Sequence, residues 1–308
     1  MFFINPITTT PTMISLAPLK YRNVLAAEGG PIAKIESQNC RVAGSSASEA
    51  RAFLKAELVS EPSIHADGAG THRSPIVARF MAISEAIERW ALRTLVEAGD
   101  LSGYGLNMDI TSNGMAAFPG LFDFQARKRA YSEAIERHCL ISWWEGILPS
   151  VPLAFPGLQE MGIEIVNPYS KHSVAVLWKL CDKSHYAFAF GYGDTLENAV
   201  WRAGIELERT EDILAQYYAG NPEPTLREIM RIEDIIMRRM VYFSTRHGFK
   251  LFLEKLKNTP KCPPKRKPKV VFDGKIPGPW SKYATVWRVV LDPPTREHLT
   301  DTHDYFFW

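Results

Sequence analysis

The chain lacks a cysteine framework. Its four cysteines, Cys40, Cys139, Cys181 and Cys262, stand far apart with no C-x-x-C pair. That argues against a zinc cluster or a disulfide scaffold and fits a reducing, cytoplasmic setting. A charge of one sign is also missing: 36 Lys and Arg against 34 Asp and Glu leave a formal net charge of +2. Nothing global therefore draws the chain to nucleic acid or to an anionic membrane. No uncharged apolar run is long enough to span a bilayer. The stretch Met1–Pro18 is apolar but has no basic start and is broken by Pro6, Pro11 and Pro18, so a cleaved signal peptide is not expected. Four familiar signatures are absent: G-x-x-x-x-G-K-S/T, a G-x-G-x-x-G opening a helix, H-E-x-x-H and G-x-S-x-G. The eight histidines are scattered. His138 reads as a helix-packing residue, Trp143 and Trp144 read as core, and no protein nucleophile can be located.

What is present is ordinary in bulk. At 308 residues, 23% charged and 46% apolar, the chain can bury the core of one large domain or two small ones. Residues 1–67 read as an irregular segment, with weak helical patterning around Ser46–Leu58. A glycine-bearing loop, Gly68-Ala69-Gly70, then leads to Ser74-Pro75, a strong helix start. Apolar residues follow at the helical period (Ile76, Phe80, Ile83, Ile87, Trp90, Leu95), and Gly99 ends the pattern. The unit recurs. Ser112-Asn113-Gly114 signals a turn, and Asp123 is placed to cap a helix from about Gln125 to Gly146. Strands at Ser173–Leu180 and Tyr186–Phe190, around a turn at Asp182-Lys183, precede a third version. There Gly191-Tyr192-Gly193 leads into a helix with Asp194 as cap and Glu197 at the capping-box position. Further on, Leu226–Met240 reads as helix and Thr285–Leu291 as a last strand. Between Lys255 and Lys269 lie seven basic residues, four prolines and no acid, read as a mobile solvated loop.

The most informative feature is a repeat. Ser-Glu-Ala-Ile-Glu-Arg occurs at 84–89 and again, letter for letter, at 132–137. Duplication of a structural unit is the natural cause. On a helix, Glu85 and Glu88 emerge on one face, and Glu133 and Glu136 repeat that geometry. In the third unit Arg202, Glu206 and Arg209 share a face. A single copy reads as a solvated helix face with an i,i+4 ion pair, worth about 0.2–0.5 kcal/mol. Two facing copies would bring four carboxylates together, which repel unless a cation holds them. Mg²⁺ suits such oxygen ligands and usually brings phosphate oxygens with it. Arg89, Arg137 and Arg202 could meet that phosphate bidentately.

These residues resemble the YcaO family. Its first motif is matched by Gly68, Gly70, Ser74, Pro75, Ala78, Glu85, Glu88 and Arg89. The second is matched by Ser112, Asn113, Gly114, Ala116, Ala117, Ala126, Ser132, Glu133, Glu136 and Arg137, and the third by Gly191, Gly193, Ala199, Arg202 and Glu206. The order agrees over about residues 68–214. Four features depart from the pattern. Ala69 replaces a lysine, with two extra residues before Ser74. Met81 replaces a serine, and Arg209 stands where glutamine is usual. A terminal Asp-Tyr-Phe-Phe-Trp takes the place of the Pro-x-Pro-x-Pro tail of azoline-forming members.

The resemblance implies an α+β, YcaO-like fold over residues 68–308, compact with the segment before it, whose repeated loop–helix units converge on an ATP site. It implies ATP and Mg²⁺ as cofactors. Glu85, Glu88, Glu133, Glu136 and Glu206 would hold the metal. Gly68, Gly70, Ser74, Arg89, Ser112, Asn113, Ser132, Arg137, Arg202 and Arg209 would contact the nucleotide. The implied reaction is O-phosphorylation of a peptide backbone amide after a nucleophile adds to its carbon, in maturation of a peptide natural product. Azoline-forming cyclodehydration stands first; thioamide or amidine formation, or a non-catalytic nucleotide-binding subunit, are the alternatives. A purely structural duplication with exposed acidic helices is a third reading. The implied partners are a precursor peptide and a protein that delivers it, resembling ubiquitin-activating enzymes or TfuA proteins; a homodimer is left open.

Overall fold

The computed structural model describes residues 14–42, 45–59, 66–99, 102–153, 161–182, 184–257, 260, 262 and 267–307. The stretch up to residue 13, Lys183 of the expected turn and most of the basic run after Lys257 lie outside them. A short helix α1 (Ala17–Lys20) precedes strands β1 (Ile32–Val42), β2 (Ser45–Leu54) and β3 (Gly68–His72), and helix α2 (Pro75–Glu97) follows. The second unit is β4 (Met115–Phe118) and α3 (Asp123–Trp144). The third is β5 (Ser150–Pro152), β6 (Met161–Ile165), β7 (Ser173–Cys181), β8 (His185–Gly193) and α4 (Leu196–Gly220). Helices α5 (Leu226–Ile229), α6 (Ile235–Ser244) and α7 (Arg246–Lys257), then β9 (Val270–Ile276) and β10 (Thr285–Leu291), complete the α+β architecture.

Three antiparallel sheets, β1-β2-β3, β4-β10-β9 and β5-β6-β7-β8, each carry one long helix. Helix α2 lies on β2 and β3, α3 on β4 and β10, and α4 on β7 and β8. The helix expected around Ser46–Leu58 is a correction: Ser45–Leu54 is a central strand, paired on both sides by β1 and β3. Its Ala, Glu, Arg and Leu favour helix in isolation, and pairing on both edges overrides that weak preference. Residues 1–67 are thus not irregular throughout, because β1 and β2 share a sheet with β3.

The glycine loops are also strands, and their glycines have a packing reason. A Cβ on Gly68 would stand 2.2 Å from the Ala82 carbonyl oxygen, and one on Gly70 2.1 Å from that of Ala78. On β8, a Cβ on Gly191 would stand 2.4 Å from the Ala203 nitrogen and one on Gly193 2.5 Å from the Ala199 nitrogen. Strand backbone therefore lies directly on helix backbone. The helices match with alanines: Ala78, Ala126 and Ala199 each stand three residues after the first residue of their helix, and Ala82, Ala130 and Ala203 seven after it. All six are fully buried. Gly191→Ala is expected to cost about 1–3 kcal/mol, the usual effect of overpacking, measured as a lower urea midpoint at unchanged m-value.

Helix starts follow the sequence closely but not at every residue. Ser74 is the N-cap of α2 with Pro75 at N1, and Gly99 follows the helix at φ +72°. For α3, Asp123 is the first helical residue; its carboxylate accepts from the Thr285 hydroxyl (2.8 Å), while the Gln125 side chain accepts from the Phe122 N–H (3.1 Å). Thr195, not Asp194, caps α4, accepting from the Asn198 N–H at 3.2 Å. The helix expected over Leu226–Met240 is broken into α5 and α6, the second capped by Asp234.

The largest core cluster joins α3, the third sheet and α6 and α7. Trp143, Phe188, Phe243, Phe252 and Phe306 form its centre, each 2% exposed or less. Phe306 stacks on Trp144 at 5.5 Å and meets Trp143 edge-on at 5.9 Å. Buried Arg239 holds the backbone of this segment, donating to the carbonyls of His298 (2.8 Å), Thr300 (2.8 Å), Thr302 (2.8 Å) and Phe307 (3.1 Å). No helix of the described residues is long and apolar enough to cross a membrane.

Candidate nucleotide site

The equal register of the three helices sets the site. Glu85, Glu133 and Glu206 each stand ten residues after the first residue of their helix, a depth of about 15 Å at 1.5 Å per residue. Three residues further come Glu88, Glu136 and Arg209; one more gives Arg89, Arg137 and Thr210. Because each helix lies on its sheet through the same alanine face, these positions turn toward one another. Glu88 faces Glu133 and Glu85; Glu133 faces Arg137, Glu136, Arg89 and Glu85; Glu136 faces Arg137, Arg202 and Glu206.

Burial raises these carboxyls. Glu88 is held well above the ordinary carboxylate range by removal from water, then by the Glu133 charge, with a hydrogen bond from the Ala117 backbone acting against both. Glu133 is pushed up to about 8 by burial, with Arg137 opposing. Burial raises Glu136 too, against Arg137 and Arg202. A carboxyl raised on folding keeps a proton that the unfolded chain releases, so stability falls as pH rises between the two values. Without nucleotide or metal, wild type should lose stability from about pH 4.5 to pH 8 relative to Glu133→Gln. Equal slopes in chemical denaturation across that window would show that Glu133 is not held protonated.

The outer residues are tied in pairs. Glu85 accepts from the Ala69 N–H (3.1 Å) and lies 3.4 Å from Arg89, the i,i+4 pair of a solvated helix face. Arg209 donates to Glu206 (2.7 Å) and to the Thr71 hydroxyl on β3 (3.0 Å), bridging the third unit to the first. Arg202 lies over the Tyr192 ring at 4.5 Å, and Arg137 over Phe190 at 4.8 Å and Phe307 at 5.6 Å.

Other sequence candidates serve the frame. Gly68 and Gly70 have their open side filled by α2. The Ser74 N–H donates to His72 Nδ1 at 2.9 Å, and Ser74 stands roughly 16 Å along the helix from Glu85. Asn113 donates to Asp109 (3.0 Å), and the Ser112 carbonyl accepts from the Met115 N–H (3.0 Å), forming the turn into β4. Burial alone would raise Asp109, but the neighbouring His298, 3.9 Å away, and hydrogen bonds from Thr111 and Asn113 hold it well below the ordinary range. Ser132 meets His172 Nε2 at 3.3 Å, and Asp194 reaches the same nitrogen at 2.9 Å. A Ser-His-Asp triad needs the acid on the other nitrogen, so this trio is no hydrolase nucleophile. His138 is buried against Tyr169 and lowered to about 4 by desolvation, a packing histidine as its place in the sequence suggests.

Sequence reasoning missed one residue of the site. Arg288, on β10, is fully buried and donates to the carbonyls of Thr111 (2.8 Å) and Asp109. It faces Asp109, Glu133 and Glu88. The signal was a lone arginine inside Thr-Val-Trp-Arg-Val-Val-Leu, a charge where both faces of a strand are apolar.

Among the described residues, no three His, Cys, Asp or Glu side chains are grouped closely enough to hold a metal ion by themselves. The donor set nonetheless suits a phosphate-borne Mg²⁺. Such an ion takes one or two carboxylates plus phosphate oxygens and water, and guanidinium groups stand beside the carboxylates to meet the phosphates.

No protein-family profile matches the sequence, and no curated protein matches it. Solved structures do. YcaO from Methanopyrus kandleri, bound with AMPPCP and Mg²⁺, superposes with a TM-score of 0.56 at 13% identity, covering 92% of this chain and 90% of that one. The E. coli microcin synthetase McbBCD complex with pro-MccB17 bound contains a chain that superposes at 0.50 and 11% identity, covering 83% and 86%.

Proposed function

From a chain with the YcaO fold, we propose an enzyme that uses ATP and Mg²⁺ to O-phosphorylate a backbone amide of a peptide. The observation that carries the reading is the register of α2, α3 and α4, which sets carboxylates and guanidiniums at one depth on three helices that face each other. One or two of Glu88, Glu133 and Glu136 would hold Mg²⁺ together with phosphate oxygens and water, and Arg137 and Arg202 the phosphates; bound there, ATP supplies the phosphoryl group that turns an amide oxygen into a good leaving group. The chain's own work is positioning and charge stabilisation. Azoline-forming cyclodehydration is the first reaction to test, with sulfide or an amine as the alternative nucleophile. The substrate would be a precursor peptide delivered by a partner protein; the similar microcin synthetase McbBCD complex has pro-MccB17 bound.

Binding decides the premise. AMPPCP with Mg²⁺ should raise the melting temperature, and Arg137→Gln should remove most of that shift. A chain indifferent to AMPPCP with Mg²⁺ at millimolar concentration would refute the nucleotide-site reading.

A further inference from the structure

The third unit departs from the other two at one telling position. Three residues after the conserved-depth glutamate, the first two helices place Glu88 and Glu136, and the third places Arg209. This guanidinium is bound within the cluster, 2.7 Å from Glu206 and 3.0 Å from the Thr71 hydroxyl, and its side chain is only 24% exposed. It faces Glu85 and Glu49 as well.

The site carries as many guanidiniums as carboxyl groups. Glu85, Glu88, Glu133, Glu136 and Glu206 lie among Arg89, Arg137, Arg202, Arg209 and Arg288. At the rim, Asp109 lies beside His298 and Arg288, Asp194 beside His172, and Glu49 is paired with Arg51 at 3.2 Å. A cluster that carries its own cations has little electrostatic need of a metal ion.

We propose that Arg209 acts as a built-in cation of the resting site, so that a divalent ion binds tightly only together with the phosphates of a nucleotide. The exchange is one of partners. Phosphate oxygens draw the guanidiniums off the carboxylates, and the freed carboxylates take the ion that the phosphates carry. Ion and nucleotide are therefore coupled, and by linkage each tightens the other by the same factor. Arg209 is the residue that sets this order, since a neutral side chain there would leave Glu206 open to an ion alone. The inference rests on the nucleotide-site reading above, but its first test needs no nucleotide.

Mn²⁺ alone is titrated into wild type, Arg209→Gln and Arg209→Lys, and free Mn²⁺ is followed by its electron paramagnetic resonance. Wild type should bind in the millimolar range. Arg209→Gln should bind at least about tenfold more tightly, the scale of removing one like charge a few ångströms from the ion at a protein surface. Arg209→Lys, which keeps the charge, should follow wild type within about threefold. Circular dichroism and the melting temperature verify that each variant is folded. Micromolar binding of Mn²⁺ alone to wild type, or equal affinities for wild type and Arg209→Gln, overturns the proposal. A second series uses AMPPCP: Mg²⁺ alone should leave the melting temperature within a degree, and Mg²⁺ with AMPPCP should raise it. If AMPPCP never binds while Arg209→Gln gains Mn²⁺ affinity, the nucleotide reading fails and the role of Arg209 as built-in cation stands.

Discussion

Glu88→Gln is expected to lower ATP turnover in the proposed reaction at least about a hundredfold, the scale of losing one preorganised electrostatic group. The residue faces both Glu85 on its own helix and Glu133 on α3, and burial raises its carboxyl and so favours the protonated form. Glutamine has the size and hydrogen-bonding reach of that protonated form. The variant should therefore fold with a stability within about half a kcal/mol of wild type. What it cannot do is ionise when Mg²⁺ arrives with phosphate, and the ion loses a charged ligand. The solvated-helix reading predicts the same stability and an unchanged turnover. Turnover with a precursor peptide thus separates the two, and a Glu88→Gln enzyme as fast as wild type would remove this residue from the site.

The second large effect belongs to Arg288→Met. Methionine replaces the arginine stem with a flexible side chain that packs, so the loss is mainly one of charge and donors. The carbonyls of Thr111 and Asp109 lose their hydrogen-bond donor, and Asp109, Glu133 and Glu88 lose the cation that they face. Removing one partner of a buried ionic group costs about 3–5 kcal/mol, whereas replacing the whole group with apolar residues can be neutral. A fall of this size in unfolding free energy is expected, with the turn at 109–113 losing amide protection from hydrogen exchange first. Unchanged stability would mean that Arg288 is not the counter-ion of these carboxylates.

Much of the candidate site was legible because it is local. The duplicated hexapeptide put Glu85, Glu88, Glu133 and Glu136 at helical spacing, and the structure turns them toward one another. What escaped the sequence depends on partners far along the chain. Gly68 and Gly70 read as a loop because the alanines they pack against appear as such only once α2 folds back on β3. Ser45–Leu54 read as helix because its residues are helix formers and its two flanking strands are invisible locally. Arg288 could be placed only by knowing that β10 is covered on both faces and sits between β4 and β9. The caps show a finer limit: Asp194 and Thr195 are adjacent, both able to accept, and geometry alone selects Thr195.

The placement of β10 also sets the order in which the molecule can be made. In the first and third units the helix follows directly on strands that already pair with each other, so these units can form as the chain emerges. The second unit cannot: Met115–Phe118 pairs with residues Thr285–Arg288 of β10, in the register Thr285 to Phe118 and Arg288 to Met115. Pairing across so long a separation carries a large loop-closure cost and is slow. Until β10 arrives, β4 is an open apolar edge that invites the wrong neighbour. Helix α3, which carries Glu133 and Glu136, rests on that same sheet, so the proposed nucleotide cleft is the last part of the protein to be completed. Slow synthesis and a supply of nucleotide should then favour the soluble product over aggregates.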